Sequence, residues 1–318
     1  MEEFSKSKYQ TAPYLELDDY KAPKGIKSYF VSMDDGIKIR VCHWLQKKEK
    51  SNGTILLQQG HNEFIEKYFE TIQEFIDRGY SVICFDWRGQ GMSERIINDI
   101  NKSFITDFKR HDKDLEKILE EIIYPLFPRP LVGIGHSMGG CLMLSAFHNH
   151  PKRFDYGILS APMLGFKNEN FLKTASSLMN FFKKDTDYLI GSNPNMGIET
   201  PFEENELTTD QRRYKRTQML VRKMPSVRLW GVTNGFAKAV NKRFKIIREK
   251  NWAEQISLNI LIINSLNDKV VYSKKISEMS KRLKKSIIIN FDNCEHEIFM
   301  EKDTHRKKLW REIDNFLP

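Results

Sequence analysis

A glycine-rich stretch around one serine is the part of this sequence best suited to covalent chemistry. It reads GHSMGG, with the residues of interest at Gly135, His136, Ser137 and Gly139. An apolar run at 131–134 precedes it and a helical pattern from Cys141 follows it. Small residues beside Ser137 allow the strained turn that exposes a nucleophilic hydroxyl, and the first amides of the helix would face a developing oxyanion. An ordinary glycine-rich turn after a buried strand explains the motif equally well, so the decision depends on the rest of the chain.

An acid and a base for this serine occur late in the chain, each just beyond a predicted strand. The pattern NILIIN at 259–264 predicts a buried strand, and Asp268 lies in the loop that follows it. The pattern SIIINF at 286–291 predicts the next strand, and His296 lies beyond its end. Because the carboxyl ends of parallel strands meet at one edge of a sheet, we expect these side chains near Ser137. His296 would then accept the serine proton, and Asp268 would hold the imidazole in the useful tautomer.

Each residue also has an interpretation that does not involve nucleophilic catalysis. Asp268 follows Asn267, and both suit a loop on propensity alone. His296 lies between Glu295 and Glu297, where it could be a solvated histidine or a metal ligand. The metal interpretation fails on spacing, because no second histidine follows at helical distance and the sequence has no Cys/His cluster. The joint placement of serine, acid and base favours nucleophilic catalysis that requires neither a metal nor a cofactor.

An oxyanion would need a second backbone donor besides the amide of Met138. The run GTILLQQ at 53–59 predicts a strand, and Gly60 and His61 follow it directly. Gly60 allows the backbone to turn closely, so the amide of His61 is the expected second donor. The side chain of His61 is interpreted as lining the pocket rather than as a second base.

The elements that would position these residues alternate between strands and helices. Strand patterns at 26–32 and 37–46 flank the turn sequence MDDG and predict an antiparallel hairpin. The strand patterns that follow predict a mostly parallel, doubly wound α/β sheet, because helical patterns separate them. These strand patterns lie at 53–59, 81–87, 131–135, 156–162, 259–264 and 286–291, and the helical patterns lie near 68–78, 108–123, from Cys141 and at 272–283. The alternation stops after Pro162, so segment 163–250, with apolar runs such as FLKTASSLMNFF, predicts a helical cap on a core of residues 1–162 and 251–318.

Longer stretches resemble the branch of the α/β-hydrolase superfamily that contains monoacylglycerol lipases and bacterial lysophospholipases. The stretches are QGHNEFIEKYFETIQEFIDRGYSVICFDWRGQGMSE, GHSMGG, SLNDKVV and CEHEIFME, and the match covers nearly the whole chain. The segment PFEENELTTDQRRYKR is similar to the cap of the bacterial lysophospholipases, with an apolar-x-x-Asn-x-Leu-Thr stretch and an Arg-Tyr-x-Arg cluster. Many lipases of this fold have His-Gly before the oxyanion residue, whereas Gln59 and Gly60 stand there in this chain.

The resemblance implies the α/β-hydrolase fold, with Ser137, Asp268 and His296 as the catalytic residues and the amides of His61 and Met138 as oxyanion donors. It implies an esterase without a cofactor, whose substrate is a single-chain lipid such as a lysophospholipid or a monoacylglycerol. Two other functions stay open. One is a short-chain carboxylesterase or thioesterase, and the other is a catalytically silent binding protein of the same fold, against which the intact serine, acid and base argue.

The positive charge of the chain is concentrated in the predicted cap. The chain carries a net charge of +9, and residues 165–250 hold 17 Lys and Arg against 9 Asp and Glu, a net of +8. A solvated basic face explains this excess, and so does attraction to an anionic membrane at about 1 kcal/mol per well-placed cation. The Arg-Tyr-x-Arg cluster at 213–216, expected with Arg212 on the outer cap, could instead bind a substrate phosphate. Nucleic acid is not an expected partner, because no recognition module accompanies the basic residues.

The chain of 318 residues has the features of a cytoplasmic protein. Its start, MEEFSKSKYQ, lacks the apolar core of a signal peptide, and no apolar run approaches the roughly 20 residues that span a bilayer. The cysteines occur at unrelated spacings, which favours reduced thiols. They are Cys42, Cys84, Cys141 and Cys294. We therefore expect a cytoplasmic protein with peripheral contact at the inner face of the cell membrane.

Overall fold

A computed structural model of the chain describes residues 9–47, 51–167, 169, 184–192 and 200–318. Eleven strands lie within these ranges, and most of them are short and buried. They are β1 Gln10–Thr11, β2 Lys27–Ser32, β3 Lys38–Trp44, β4 Thr54–Gln58, β5 Ser81–Phe85, β6 Lys102–Ser103, β7 Leu131–His136, β8 Tyr156–Ser160, β9 Gly231–Val232, β10 Asn259–Ser265 and β11 Ser286–Phe291.

The described helices alternate with these strands. They are α1 Phe69–Asp77, α2 Phe108–Ile118, α3 Ser137–Asn149, α4 Gln211–Lys223, α5 Asn234–Ile247, α6 Ser273–Arg282 and α7 Asp303–Phe316. Helix α2 continues through a π-helical turn at Leu119–Ile123 and ends in one α turn at Tyr124–Leu126. Short 3₁₀ helices occur at Ile65–Tyr68, Phe202–Glu204, Pro225–Val227, Ala253–Gln255 and Ile298–Met300.

The main sheet confirms the predicted hairpin and the parallel arrangement. Its nine described strands have the order β1-β2-β3-β5-β4-β7-β8-β10-β11. Strands β2 and β3 pair antiparallel, with Tyr29 opposite Val41, and β3 pairs antiparallel with β5. From β5 through β11 the neighbouring strands are parallel. The carboxyl ends of β4, β7, β10 and β11 therefore lie at one edge of the sheet, which is where ligands bind in such folds.

Two apolar layers cover the sheet. Alternate residues of each strand point to opposite faces, so residues 131–134 of β7, which are buried on both sides of the sheet, are all apolar. One layer contains the buried faces of α1 and α7, including Phe75 and Trp310. The other contains the buried faces of α2, α3, α5 and α6, including Phe108 and Phe244. Together the layers make the strands rigid supports for the loops at their ends.

Between Pro162 and β10, the segment predicted to form the cap, the described residues form α4, α5 and β9. Helix α5 packs Phe236, Val240 and Phe244 into the same apolar layer as α2, so it is joined closely to the core. Strand β9 pairs in parallel with β6 in a separate two-stranded sheet. The predicted helical run FLKTASSLMNFF, at 171–182, lies outside the described residues.

Two further features concern the membrane and the thiols. The helices described for this chain include none that is long and apolar enough to cross a membrane. All four cysteines are buried free thiols. Cys42 and Cys84 lie opposite each other on β3 and β5.

Candidate active site

The turn at Ser137 is a strained connection between β7 and α3. Ser137 has a φ of 51°, in the left-handed region that a residue with a side chain rarely adopts. A Cβ on Gly139 would lie 2.4 Å from the carbonyl oxygen of Gln59, and one on Gly135 would lie 2.5 Å from the carbonyl oxygen of Gly139. Residues larger than glycine therefore do not fit at positions 135 and 139. The sharp turn leaves Ser137 between the end of the strand and the loop after β4.

Helix α3 begins at Ser137 itself, four residues before the expected start at Cys141. The sequence pattern missed this first turn because its residues, apart from Met138, are small or polar and do not show helical periodicity. The first amides of a helix have no acceptor within it, so the N–H of Met138 is available to a ligand. The N–H of Met163 donates to the carbonyl of Ser137 at 2.9 Å, which holds the turn against the chain after β8.

The structure brings the predicted serine, base and acid together in one chain of hydrogen bonds. Nε2 of His296 lies 2.9 Å from Oγ of Ser137, and Nδ1 of His296 lies 2.7 Å from Oδ2 of Asp268. The side chains are buried, with Ser137 7 %, His296 3 % and Asp268 1 % exposed. Because water reaches these groups poorly, their mutual interactions are strong. The arrangement can move a proton from the hydroxyl to the imidazole.

Asp268 also forms the turn that its loop position suggested. Its Oδ1 accepts the N–H groups of Val270 and Val271, each at 2.8 Å. Its Oδ2 is directed to the imidazole of His296. A turn-forming role and a catalytic role of Asp268 are therefore compatible, since Oδ1 shapes the loop and Oδ2 orients the imidazole of His296.

The loop after β4 approaches the serine through Gly60. A Cβ on Gly60 would lie 3.0 Å from Cβ of Ser137 and 2.9 Å from Oε2 of Glu63, so a side chain there would be crowded. Nε2 of Gln90 donates to the carbonyl of Gly60 at 2.8 Å. Since a peptide unit is planar, the N–H of His61 points away from that carbonyl. Gln90 therefore orients the amide that the sequence suggested as an oxyanion donor.

The imidazole of His61 contacts other parts of the chain. Its Nε2 lies 2.5 Å from Oγ of Ser103, and its ring centroid lies 4.5 Å from that of Phe236. Burial lowers the pKa of His61 to about 4. The side chain is therefore neutral near pH 7 and joins the oxyanion loop to α5.

The sequence DWRGQG, after β5, supports the oxyanion loop from behind. Oδ1 of Asp86 accepts from Nε2 of Gln59 at 2.9 Å, and Nε1 of Trp87 donates to the carbonyl of Gln59 at 3.0 Å. Oδ2 of Asp86 pairs with the guanidinium of Arg40. Its glycine at Gly91 is required, because a Cβ there would lie 2.3 Å from the carboxyl carbon of Asp86. These contacts favour a structural role for the motif.

A buried charged cluster lies beside the serine, and the sequence analysis missed it. Among the described residues, Glu63, His136 and Glu297 offer ligand atoms within 4.8 Å of one another, the spacing of a metal site. The ammonium of Lys67 already binds both carboxylates, at 2.7 Å to Glu63 and 2.5 Å to Glu297. A cation of the protein itself thus fills the role that a metal would have. The only sequence signal was the helical i,i+4 spacing of Glu63 and Lys67.

The segment similar to a lysophospholipase cap braces the loop of His296. Oδ1 of Asn205 accepts the N–H groups of Leu207 and Thr208, each at 3.0 Å, and so shapes this segment. The carbonyl of Leu207 accepts the N–H of Glu297 at 2.7 Å. Oγ1 of Thr208 donates to the carbonyl of Met300 at 2.6 Å. The Asn-x-Leu-Thr pattern therefore holds the loop that carries the base.

Two arginines of the Arg-Tyr-x-Arg cluster are not on the outer surface, which corrects the expectation from the sequence. Arg213 is 2 % exposed, and its guanidinium binds Glu70, Asp210 and Asp303. Arg216 also binds Glu70, at 2.7 Å, and its guanidinium carbon lies 4.1 Å from the ring centroid of Tyr20. Both cations are neutralised by Glu70, which is distant in the sequence, and Arg213 is also neutralised by Asp210 and Asp303. They are therefore poorly suited to bind a substrate phosphate.

Comparison with known proteins identifies the family and the relatives of the chain. Residues 49–303 match the family described as Serine aminopeptidase, S33. The chain is 26 % identical over 294 residues to a probable lysophospholipase L2 of Haemophilus influenzae, covering 91 % of each protein. It is 26 % identical over 208 residues to lysophospholipase L2 of Escherichia coli, covering 64 % of this chain and 60 % of that protein.

A solved structure shows the same fold. A soluble variant of monoglyceride lipase from Saccharomyces cerevisiae, in complex with a substrate analogue, superposes with a TM-score of 0.73 at 20 % identity. The superposition covers 95 % of this chain and 99 % of that one. The expected α/β-hydrolase fold is thereby confirmed. Since the family match spans most of its length, the chain belongs to the serine aminopeptidase S33 family of α/β-hydrolases.

Proposed function

We propose that this protein is a serine esterase that hydrolyses a single-chain lipid, either a lysophospholipid or a monoacylglycerol. The observation that carries the proposal is the hydrogen-bonded chain from Ser137 through His296 to Asp268 at the carboxyl edge of the sheet. The names of the lysophospholipase L2 relatives and of the monoglyceride lipase structure support the substrate class.

The proposed reaction follows from these positions. Nε2 of His296 accepts the proton of Ser137 as Oγ attacks the ester carbonyl, and Asp268 stabilises the imidazolium that forms. The amides of His61 and Met138 donate to the oxyanion of the tetrahedral intermediate. His296 then protonates the leaving glycerol oxygen, which departs and leaves an acyl-serine. A water that is deprotonated by His296 releases the fatty acid by the same steps in reverse order. No cofactor is needed.

The proposed cap, residues 163–250, would provide the apolar wall along which the acyl chain lies. Asn62, on the oxyanion loop, binds the backbone of Leu229 twice, at 2.9 Å and 2.6 Å. Phe236 of α5 contacts the ring of His61. These contacts place apolar residues of the segment next to the loop that carries the proposed oxyanion donor. An alkyl chain in that position would leave water at little cost.

Labelling with a fluorophosphonate probe, followed by peptide mapping, tests the nucleophile. We expect one adduct, on Ser137, and its loss in Ser137→Ala together with hydrolysis. Ser145→Ala is the matched control, because Ser145 is also buried on α3 and donates to the carbonyl of Cys141. An adduct at another residue would refute the assignment, and an unlabelled, inactive wild type would favour a silent binding protein.

A series of acyl lengths tests the substrate class. Lysophospholipids and monoacylglycerols of increasing chain length should be hydrolysed with rising kcat/KM until the wall is filled, because each buried methylene contributes about 0.8 kcal/mol. A maximum at acetyl or butyryl esters would instead identify a short-chain carboxylesterase, and preference for thioesters over the matching oxygen esters would identify a thioesterase.

The proposed membrane contact lies on the exposed face of α4, at the inner surface of the cytoplasmic membrane. Arg212, Lys215, Met219 and Lys223 share this face at helical spacing, and all are exposed. A basic stripe with an apolar side chain in it suits an anionic bilayer. The buried Arg213 is not part of this surface.

Vesicle binding tests this contact. The double variant Arg212→Gln and Lys215→Gln should weaken binding to vesicles that contain anionic lipid, as should salt, since the Debye length falls from about 10 Å at 0.1 M to about 3 Å at 1 M. Hydrolysis of a soluble ester should not change. A control with the same loss of charge replaces the exposed Lys281 and Lys284 by Gln. Equal binding by the two double variants would refute the proposed surface.

A further inference from the structure

Beneath the proposed catalytic edge lies the buried charged cluster, which the proposed chemistry does not use. Its members Glu63, Lys67 and Glu297 are each no more than 6 % exposed. Burial alone would raise the pKa of Glu63, but the ammonium of Lys67 and the backbone N–H of Gly60 outweigh it and lower this pKa to about 2. The carboxylate of Glu63 is therefore ionised at neutral pH. Burying paired charges contributes little to stability compared with an apolar replacement. The position of the cluster between two loops suggests another role.

One end of the cluster holds the loop that carries the proposed oxyanion donor. Oε2 of Glu63 accepts the backbone N–H of Gly60 at 2.5 Å and the hydroxyl of Tyr68 at 2.8 Å. Gln90 holds the carbonyl of the same glycine. With both polar groups of Gly60 bound, the next peptide plane, which carries the amide of His61, is restricted to one orientation. A shift of the Glu63 carboxylate would turn this amide.

The other end holds the loop that carries the base. Glu297 directly follows His296, and its side chain binds Lys67 across 230 positions of the sequence. Its backbone N–H binds the carbonyl of Leu207. Asp268 orients the imidazole ring of His296 but does not hold the backbone of this loop. Glu297 therefore anchors the base loop through both its backbone and its side chain.

We propose that Glu63, Lys67 and Glu297 are positioning residues for the reaction. Their ion pairs lock the oxyanion loop to the base loop, so that the amide of His61 and the imidazole of His296 keep fixed positions about the serine. This inference rests on the proposed function. It predicts that breaking the cluster lowers the rate of the chemical step more than it weakens substrate binding.

Steady-state kinetics on a soluble short-chain ester test the proposal. Glu63→Gln and Lys67→Met should each lower kcat by about 100-fold with little change in KM, because a displacement of about 1 Å at reacting groups costs this much. Lys67→Arg keeps the charge and should recover part of the lost kcat. The matched control is Asp114→Asn. Asp114 lies on α2 and forms a buried ion pair with Arg88, so its replacement should lower the Tm without changing kcat.

The results separate positioning from simple stability. If kcat stayed at the wild-type value in Glu63→Gln, or if Lys67→Arg were as slow as Lys67→Met, the proposal would be overturned. A loss of kcat in Asp114→Asn equal to that in the cluster variants would also overturn it. Should Lys67→Met not fold, the rate of fluorophosphonate labelling in Glu63→Gln decides between the same outcomes. An unlabelled wild type contradicts the proposed function, whereas a labelled, active wild type with unaffected cluster variants contradicts only the positioning role.

Discussion

The protein should lose stability at pH values well above those at which carboxylates titrate, because several histidines are buried in neutral form. Burial lowers the pKa of His43 and of His136 to about 4. Burial, together with the nearby Arg88 and Arg243, lowers the pKa of His111 to about 3. In the unfolded chain a histidine takes up its proton near pH 6.5. As the pH falls below 6.5, the unfolded state therefore gains protons that the folded state cannot bind, and stability is lost until about pH 4.

The size of the effect follows from these pKa values. At pH 5 each buried histidine favours unfolding by about 2 kcal/mol relative to neutral pH, so His43, His111 and His136 together cost about 6 kcal/mol. A typical domain is stable by only about 5–15 kcal/mol. Against the effect of burial, the neighbouring arginines, including Arg213 and Arg216, lower the pKa of Glu70 to about 2. Its contribution to stability is therefore lost only as the pH falls below about 4.5. Between pH 6.5 and 5 the histidines should dominate.

The variant His111→Phe isolates one of these groups. Neither ring nitrogen of His111 has a hydrogen-bond partner among the described residues, and its ring packs against those of Trp87 and Phe108, with centroids 5.7 Å and 5.2 Å away. An aromatic hydrocarbon ring should therefore fit this site. Urea unfolding followed by tryptophan fluorescence, at several values between pH 7.5 and 4.5, gives the free energy of unfolding. The slope of this free energy against pH, below pH 6, should be smaller by about 1.4 kcal/mol per pH unit in the variant. The reason is that the unfolded variant binds one proton fewer than the unfolded wild type.

A buried group that does not titrate provides the control. Thr71 is fully buried, and its hydroxyl has no partner within the part of the chain that the structure describes. Thr71→Val should change the stability equally at every pH and leave the slope unchanged. Equal slopes for His111→Phe and the wild type would refute the reasoning, because they would mean that His111 binds its proton equally well in both states.

Three further substitutions test other parts of the structure. Asp268→Asn should lower kcat by about four orders of magnitude by favouring the wrong tautomer of the base, whereas Asn in place of the exposed Asp292 should have no effect; the reverse pattern would reassign the acid. Gly139→Ala places a methyl group 2.4 Å from the carbonyl oxygen of Gln59. It should lower the Tm by about 5–10 °C in a thermal scan, and an unchanged Tm would show that the turn has room. Arg213→Gln leaves the buried carboxylate of Asp210 without its cation, while Arg216 still binds Glu70. It should reduce the free energy of urea unfolding by about 3 kcal/mol, so an unchanged value would mean that the ion pairs of Arg213 are not stabilising.

The sequence by itself was sufficient to predict the fold and the place of each candidate catalytic residue. Strand and helix patterns are local, since the apolar periodicity of a segment depends only on its own residues and the layer it packs against. The serine, acid and base each follow a strand, and parallel strands end at one edge. Their encounter could therefore be expected before any distance was known. The family match and the shared fold confirm the predicted fold and family.

Only the tertiary structure decided which charges are buried and what they hold. Arg213 and Glu70 are 143 positions apart, and Lys67 and Glu297 are 230 positions apart. A pattern of neighbouring residues contains no information about such pairs, so the arginine cluster was expected on the surface and the charged cluster beside Ser137 was not seen. The free energy of a charge depends on the distance to its partner and on its exposure to water, and both are set by how distant segments pack.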